Sequence, residues 1–323
     1  MKAIVYTKYG PPEVLQLKEV AKPIPKDNEV LVKVYATTVN RTDYATIRGI
    51  PFFARLFTGM FKPKKQIPGT EFAGKIEEIG KNVKSLEVGD KVFGFDDQGS
   101  GSHAQYMTIS EEKALTTIPR NITYEQAAAS TEGAHYAYNF IKKVNLKSGQ
   151  KVLVNGATGA IGSAAVQILK YFDVNVTAVC NTENIELVES LGANKVIDYT
   201  KEDFTKGEEK YNYVFDTVGK SSFAKCRPLL QSGGIYISSD LGYMAQNVFL
   251  PFITPIIKPM LGNKKTIFPI PTDVRRSIFF IKKLIEEGKF KTVIDRSYPL
   301  EQIIEAYKYV EKGQKTGNVV ITM

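Results

Sequence analysis

The chain has 323 residues, 43% hydrophobic and 24% charged, which excludes a disordered or fibrous protein and leaves room for two domains of about 150 residues each. No apolar run reaches the ~18–20 residues needed to span a bilayer, and two cysteines, Cys180 and Cys226, are too few for a disulfide framework or a multi-thiolate zinc centre. The net charge is +9, but Lys and Glu alternate through most of the chain and the cluster Lys62, Lys64 and Lys65 is short, so the excess reads as solvated surface, with no nucleic-acid face.

The N-terminus, Met1 to Tyr6, reads as a strand; it lacks a long apolar stretch and a small-residue cleavage site, so no secretion signal is expected and a cytoplasmic location is the default. To about residue 120 the chain is strand-rich and broken by Gly and Pro: EVLVKVYA (29–36), EFAGKIEEIG (71–80) and DKVFGF (90–95) are short β patterns. The first of these runs into Asn40-Arg41-Thr42-Asp43 and then Tyr44. These polar groups are placed to close a turn, cap a helix or line a pocket. Beyond them, 49–65 carries Phe52, Phe53, Leu56, Phe57, Met60 and Phe61 at mixed helical spacing. From Thr123, an expected N-cap, an Ala-rich helical pattern runs to about residue 144. Strands and helices then alternate every 25–30 residues from 151 to 239, the rhythm of a parallel, doubly wound sheet. An apolar stretch at 247–261 is interrupted by Pro251, Pro255 and Pro259. A helix at 273–290, a helix at 300–313 and the strand 318–323 close the chain. For both apolar stretches a pocket lid, a dimer contact or core filling is expected ahead of membrane docking.

KVLVNGATGAIGSAAVQ (151–167) is the most informative motif. A β run meets Gly156, Gly159 and Gly162, and a helix follows. Ala157-Thr158-Gly159-Ala160-Ile161-Gly162 fits G-x-G-x-x-G with Ala in the first place. Small residues let the backbone approach a pyrophosphate, and the helix start supplies free N–H groups and a positive dipole end. The position between a strand and a helix is the context that gives the motif its meaning. The next strand ends in Cys180-Asn181-Thr182-Glu183, without the acid that grips the ribose diol of NAD. NADP(H) is therefore favoured over NAD(H), with Asn181, Thr182 and Tyr199 as donors to a 2′-phosphate. No Arg or Lys stands there, and Glu183 would repel the phosphate if it faced inward.

Read together, MKAIVYTKYGPPEVLQLKEV, VNRTDYATIRG, IPGTEFAGKIEEIG, VGDKVFGF, NGATGAIGSAAVQ, LGANKVIDY and GKFKTVIDRSYPLEQIIEAYKYVEKG resemble the medium-chain dehydrogenase/reductase superfamily, and more closely its zinc-free quinone oxidoreductase branch. The resemblance implies an α/β protein with a GroES-like β-rich domain from both chain ends (1–125 and 270–323), a Rossmann domain between them (126–269), a cofactor in the cleft and a homodimer. Zinc alcohol dehydrogenases of that superfamily carry a Cys where Asn40 stands, a His before the Glu where this chain has Gly69-Thr70-Glu71, and a third ligand near Thr131. Amide and hydroxyl groups are poor zinc ligands, and the chain passes through DDQGSGSHAQY (96–106) without the four-cysteine structural lobe, so no metal is expected. Without a Lewis acid the fitting reaction is hydride transfer from NADPH to a quinone or α,β-unsaturated carbonyl, whose own electrophilicity suffices; turnover of simple alcohols is expected to be negligible.

The resemblance also assigns roles. Asn40 would orient the nicotinamide and Tyr44 would donate to the substrate carbonyl, while Asp43 would hold the local turn. Thr131, Gly156, Thr158, Gly159, Ala160, Ile161, Val218 and Ser239 would line the cofactor, with Gly219 beside Val218, and Asn318 would close over it from the C-terminal strand. His103 and His135 are expected to be structural. The competing reading from another class is a non-catalytic NADPH-binding protein working as a structural or membrane-surface partner, motivated by the Phe-rich segment.

Overall fold

The computed structural model describes residues 1–96, 101–242 and 246–323; part of the segment standing in place of the zinc lobe (97–100) and the residues just before the proline-interrupted stretch (243–245) lie outside them. In chain order the strands and helices are β1 (Lys2–Val5), β2 (Gln16–Glu19), β3 (Glu29–Val39), α1 (Arg41–Arg48), α2 (Arg55–Thr58), β4 (Glu71–Ile79), β5 (Lys91–Phe95), β6 (Tyr106–Ser110), β7 (Leu115–Thr117), α3 (Tyr124–Ala128) and α4 (Glu132–Lys142). They continue with β8 (Lys151–Asn155), α5 (Ala160–Tyr171), β9 (Asn175–Cys180), α6 (Ile185–Ser190), β10 (Lys195–Asp198), β11 (Tyr211–Asp216), α7 (Phe223–Cys226), β12 (Leu230–Ser238), α8 (Gln246–Ile253) and β13 (Lys265–Ile267). The chain ends with α9 (Val274–Glu286), β14 (Ile294–Pro299), α10 (Ile303–Glu311) and β15 (Asn318–Thr322).

Two compact units emerge: Met1–Glu132 with Val274–Glu286 and Thr292–Met323, and Gly133–Asp273 with Glu287–Lys291. The first is a mostly antiparallel sheet in the order β14-β15-β3-β4-β5-β7, with β6 also on β3 and the β1-β2 ladder apart. Its organiser is β3, whose eleven residues are long enough to pair β4 along most of their length, β6 over the first half and β15 over the last four residues. Inward-facing Val30, Val32 and Val34 pack on Phe72, Ile76 and Val92, the alternation expected of a strand with one face in a core. A second cluster, built from Ile4, Tyr6, Val39 and Ile47, meets the apolar stripe of α10, including Ile303, Tyr307 and Val310.

The second unit is a parallel sheet in the order β10-β9-β8-β11-β12-β13. Its central strands read as continuous apolar runs because both faces are covered: Val152, Leu153, Val154, Val214 and Phe215 have no exposed surface. Strand order reverses direction between β8 and β11, the place where open α/β sheets bind ligands beyond their strand ends. The mixed α/β, GroES-plus-Rossmann architecture expected from the sequence is the one present. Thr123 does cap α3, accepting from Gln126 N while Gln126 Oε1 accepts from Thr123 N.

Candidate active site

In the second unit, β8 delivers the chain into Gly156, which sits at φ +78°, a conformation few side-chain-bearing residues adopt. A Cβ there would lie 2.7 Å from Val218 Cβ. At Gly162 it would meet the Gly156 carbonyl oxygen at 2.0 Å, so this glycine lets α5 pack onto the turn. Gly159 is different: a Cβ would find nothing nearer than 3.7 Å. It is the N-cap of α5 and offers no side-chain cap, so the first N–H groups of α5 at Ala160 and Ile161 have no side-chain acceptor and the space before them is open. This is the cradle a pyrophosphate requires, and the residues present fit a nicotinamide dinucleotide. Thr158 is half-buried beside it. The turn is braced from β11, where Thr217 Oγ1 donates to the Asn155 and Gly156 carbonyls at 2.8 and 3.1 Å. Asp216 accepts from Asn155 Nδ2, Gly219 N and the Tyr236 hydroxyl. Val218 closes the floor under Gly156, and Ser239 follows the end of β12, half-buried.

Beyond β9, Thr182 Oγ1 donates to Asp198 Oδ2 at 2.5 Å, and Asn181 Oδ1 accepts from Asn184 Nδ2 at 2.6 Å. Of the three residues expected to face a 2′-phosphate, Thr182 therefore commits its hydroxyl donor to a carboxylate, Asn181 keeps its amide donors, and Tyr199 is exposed. Asp198 was absent from the sequence reading because it ends β10, not β9; the pairing Asp198 to Cys180 puts it beside the β9 terminus. Hydrogen bonds from Thr182 and Thr200 hold its carboxyl down at about 2. Glu183 is exposed in the turn that follows β9.

The first unit holds a sealed polar network. Asn40 ends β3 and caps α1 in a reciprocal box: its side chain accepts from the Asp43 backbone, and Asp43 Oδ2 accepts from Asn40 N at 2.8 Å. The Asn40 amide Nδ2 donates to Glu71 Oε2 at 2.6 Å, and to Glu132 Oε2 and Thr38 Oγ1 at 3.2 Å each. Glu71 also accepts from the Thr38 hydroxyl, from Thr131 Oγ1 at 2.5 Å and from the Glu132 backbone N–H at 2.5 Å, so its carboxylate lies on the positive end of α4. Glu132 Oε1 accepts from Thr42 Oγ1 at 2.6 Å. Burial pushes the Asp43 carboxyl up to about 7, with Glu71 adding to the rise and the Asn40 N–H opposing it. Burial, then the charges of Glu71 and Asp43, raise Glu132 well above the carboxylate range. Lys315 keeps intermediate exposure as a residue, but protein packed around its ammonium lowers it to about 8 against the pull of Glu132, Glu71 and Asp295.

The structure therefore brings Asn40 and Thr131 together on Glu71 and commits every polar atom of the Asn40 side chain internally. It takes Tyr44 elsewhere: the phenol donates to Glu311 Oε1 at 2.5 Å. Asn318 lies one residue past the Val39–Val319 pair, at the end of the sheet where β3 gives way to Asn40. Its Nδ2 donates to the Val293 carbonyl at 3.0 Å, and its Oδ1 is buried without a donor, an acceptor suited to an incoming amide. The sequence reading missed Glu132, Thr42 and Lys315 as site residues; the [ST]-x-x-[DE]-like spacing from Asn40 to Asp43 was visible, but the convergence on Glu71 needs the sheet.

Profiles described as alcohol dehydrogenase GroES-like domain and zinc-binding dehydrogenase match residues 26–120 and 191–321. The 2-methylene-furan-3-one reductase of Solanum lycopersicum is 32% identical over 99% of this chain and 79% of its own. The chloroplastic NADPH-dependent alkenal/one oxidoreductase of Arabidopsis thaliana is 31% identical with the same coverage. The chain belongs to the medium-chain dehydrogenase/reductase superfamily, in its quinone oxidoreductase branch. It is an oxidoreductase, and reductase relatives that match 99% of this chain favour that over a non-catalytic cofactor-binding role. Among solved structures, the quinone oxidoreductase from Coxiella burnetii superposes with a TM-score of 0.87 at 25% identity, covering 100% of this chain and 99% of the other. The superfamily includes zinc enzymes, yet here the corresponding positions offer the amide of Asn40 and the hydroxyls of Thr70 and Thr131, none a good zinc donor. Among the described residues no group of three or more His, Cys, Asp or Glu side chains is arranged to hold a metal ion, and no helix is long and apolar enough to cross a membrane.

Proposed function

We propose that this protein transfers hydride from NADPH to a quinone or α,β-unsaturated carbonyl without zinc. The observation that carries the reading is the donor set around Asn40: an amide and hydroxyls already hydrogen-bonded to Glu71 and Glu132, which offers a Lewis acid no thiolate or imidazole at these positions, spends the neighbouring carboxylates on internal hydrogen bonds, and favours substrates that are electrophilic by themselves. The bound dinucleotide supplies the hydride. Gly156, Thr158, Gly159, Ala160 and Ile161 hold its pyrophosphate, Val218 and Ser239 bound its nicotinamide half, and the Asn318 carbonyl oxygen takes an amide donor. Asn181 and Tyr199 supply donors for a 2′-phosphate, and the NADPH dependence named for the Arabidopsis relative supports the same choice.

Asn40 and Thr131 work as positioning residues, keeping Glu71 and Glu132 in register. Burial raises Glu132 toward its acid form, and its Oε1 accepts from Thr42 Oγ1 at 2.6 Å, so Thr42 can pass its hydroxyl proton to the reduced substrate and be reprotonated by Glu132, which balances the delivered hydride. Tyr44 serves a substrate carbonyl only by leaving Glu311. The reading includes a homodimer, supported by the open edge of the parallel sheet at β13, and a cytoplasmic location, supported by two free, buried cysteines. Sedimentation at twice the chain mass and cell fractionation test these two parts.

The deciding experiment titrates NADPH and NADH separately and then runs a broad panel of quinones and enones. Oxidation of NADPH by several of them, unaffected by a chelator and with simple alcohols inert, is expected. Tight cofactor binding with no acceptor in the panel reduced would overturn the reading.

A further inference from the structure

Two features together mark the segment from Tyr44 to Thr70. It carries five cations, Arg48, Arg55, Lys62, Lys64 and Lys65, and no aspartate or glutamate, against three cations and no acid in 241–272. It also turns its large apolar side chains outward: Phe53, Phe57 and Phe61 are 58%, 79% and 93% exposed, and Phe52 and Leu56 stand out with them. Core filling, one of the uses expected from the sequence, is thereby excluded for these residues. The arrangement is built and not merely loose. Arg55 Nε and Nη2 donate to the Gly49 and Arg48 carbonyls at 3.0 and 3.2 Å, and its guanidinium lies 4.6 Å from the Tyr9 ring centre. The Tyr9 hydroxyl donates to the Gly59 carbonyl at 2.8 Å, and Lys64 N closes the loop on the Thr58 carbonyl at 2.8 Å. Polar groups tie the segment down from beneath while the phenyl rings face water, the reverse of what burial alone would favour.

We propose that this face docks on an anionic lipid bilayer, with Phe53, Phe57 and Phe61 entering the interfacial layer and Lys62, Lys64 and Lys65 over the lipid phosphates. Aromatic side chains beside clustered lysines are the pairing that an acidic membrane surface rewards. A second copy of the chain fits poorly, because an isologous contact would set the same five cations against themselves. Weighing a membrane by run length and prolines tests for spanning; interfacial docking asks instead for exposure and charge, which the sequence shows only in part. The proposal stands apart from the reductase reading, since it concerns where the protein sits and not what it reduces.

The full chain is co-sedimented with phosphatidylcholine vesicles with and without phosphatidylglycerol, at low and high salt, beside Phe53→Ser/Phe57→Ser/Phe61→Ser, Lys62→Glu/Lys64→Glu/Lys65→Glu and, as a control on the other exposed apolar stretch, Phe249→Ser/Phe252→Ser. Binding only to the acidic vesicles, weakened by salt, is expected, with both triple variants at least about tenfold weaker and the control unchanged. Thermal unfolding of each variant separates lost docking from lost folding. Failure of the wild-type chain to bind acidic vesicles overturns the proposal, as does equal binding by the triple variants. So does a sedimentation-velocity result in which the phenylalanine variant instead abolishes self-association, which would assign the face to a second copy.

Discussion

Around Asn40, three carboxyl groups, three threonine hydroxyls and an amide, most of them buried, are joined by hydrogen bonds, with the Lys315 ammonium drawn by their charge. Around Gly159 there is no charged side chain from Asn155 to Leu169, and the groups that matter are backbone N–H donors left open. Both regions begin where a strand gives way to a helix N-terminus, yet one is saturated internally and the other presents uncapped N–H donors suited to an anion. A saturated network resists change because every group removed strands a buried partner. An open cradle tolerates small changes in the fold and transmits them to the ligand instead. Substitutions in the two regions should accordingly separate stability from affinity.

The largest effect is expected at Glu71. It accepts from Thr38, Asn40, Thr131 and the Glu132 N–H, and its charge helps hold the Lys315 ammonium. Glu71→Gln turns an acceptor into a donor against Asn40 Nδ2 and leaves that ammonium less compensated. A loss of about 3–5 kcal/mol in urea unfolding is expected; a loss under about 1 kcal/mol would mean the network relaxes freely and the contrast between the regions is false.

His103 tests the same seal by pH. It is fully buried, with Nε2 2.8 Å from the Thr38 carbonyl and its ring edge-on to Tyr307. Burial lowers it from 6.5 to about 4, the Thr38 carbonyl opposing. A base whose folded pKa is depressed contributes fully above its unfolded value and loses that contribution as pH falls through the folded one. Between pH 6.5 and about 4 the fold should lose about 3 kcal/mol from this group. Asp43 runs the other way: its folded carboxyl is pushed up to about 7, so it favours the fold as pH falls. The difference between wild type and His103→Gln isolates the histidine, and the stability gap should narrow in acid. A gap constant with pH would show that the imidazole meets water.

In the open region the glycines split by role. Gly162→Ala places a methyl 2.0 Å from the Gly156 oxygen and should cost about 1–3 kcal/mol of stability. Gly159 has φ −69° and ψ 172°, which alanine adopts without strain, and 3.7 Å of clearance. Gly159→Ala should leave thermal unfolding unchanged while weakening NADPH binding about tenfold, because the methyl occupies the pyrophosphate's approach. Equal loss of stability in both variants would remove the distinction between a packing glycine and a binding one.

The open region was readable in the sequence because it depends on neighbours in the chain: strand, three small residues and helix lie within residues 151–171. Taken locally, the sealed region reads only as a row of polar residues after β3; that Asn40 meets the Thr70-Glu71 stretch and Thr131 is implied by the family resemblance alone. Asn40 and Asp43 as a capping pair are local, and the alternatives of cap and pocket both followed from their spacing. Glu71 and Glu132 meet Asn40 across gaps of 31 and 92 residues, set by the β3–β4 register and by the entry of α4, and no periodicity encodes that. Tyr44 shows a related limit: its place on α1 is local, but its partner Glu311 lies at the end of α10. The phenylalanines of 52–61 show the limit of composition, which supplies apolar residues without saying which way they face.

The smallest effect addresses the cofactor's phosphate. Glu183 stands exposed in the turn after β9, next to Thr182, whose hydroxyl is already bound to Asp198. If the adenosine ribose lies over this turn, a carboxylate there opposes a 2′-phosphate and a lysine attracts it, through solvent and therefore weakly. Glu183→Lys should tighten NADPH roughly threefold to tenfold, leave NADH unchanged, and lose most of the gain at high salt, where exposed charges are screened. Equal change for both cofactors would indicate a general field, not recognition of the phosphate. No change for either would turn Glu183 away from the ribose and leave Asn181 and Tyr199 as the groups that choose between the two dinucleotides.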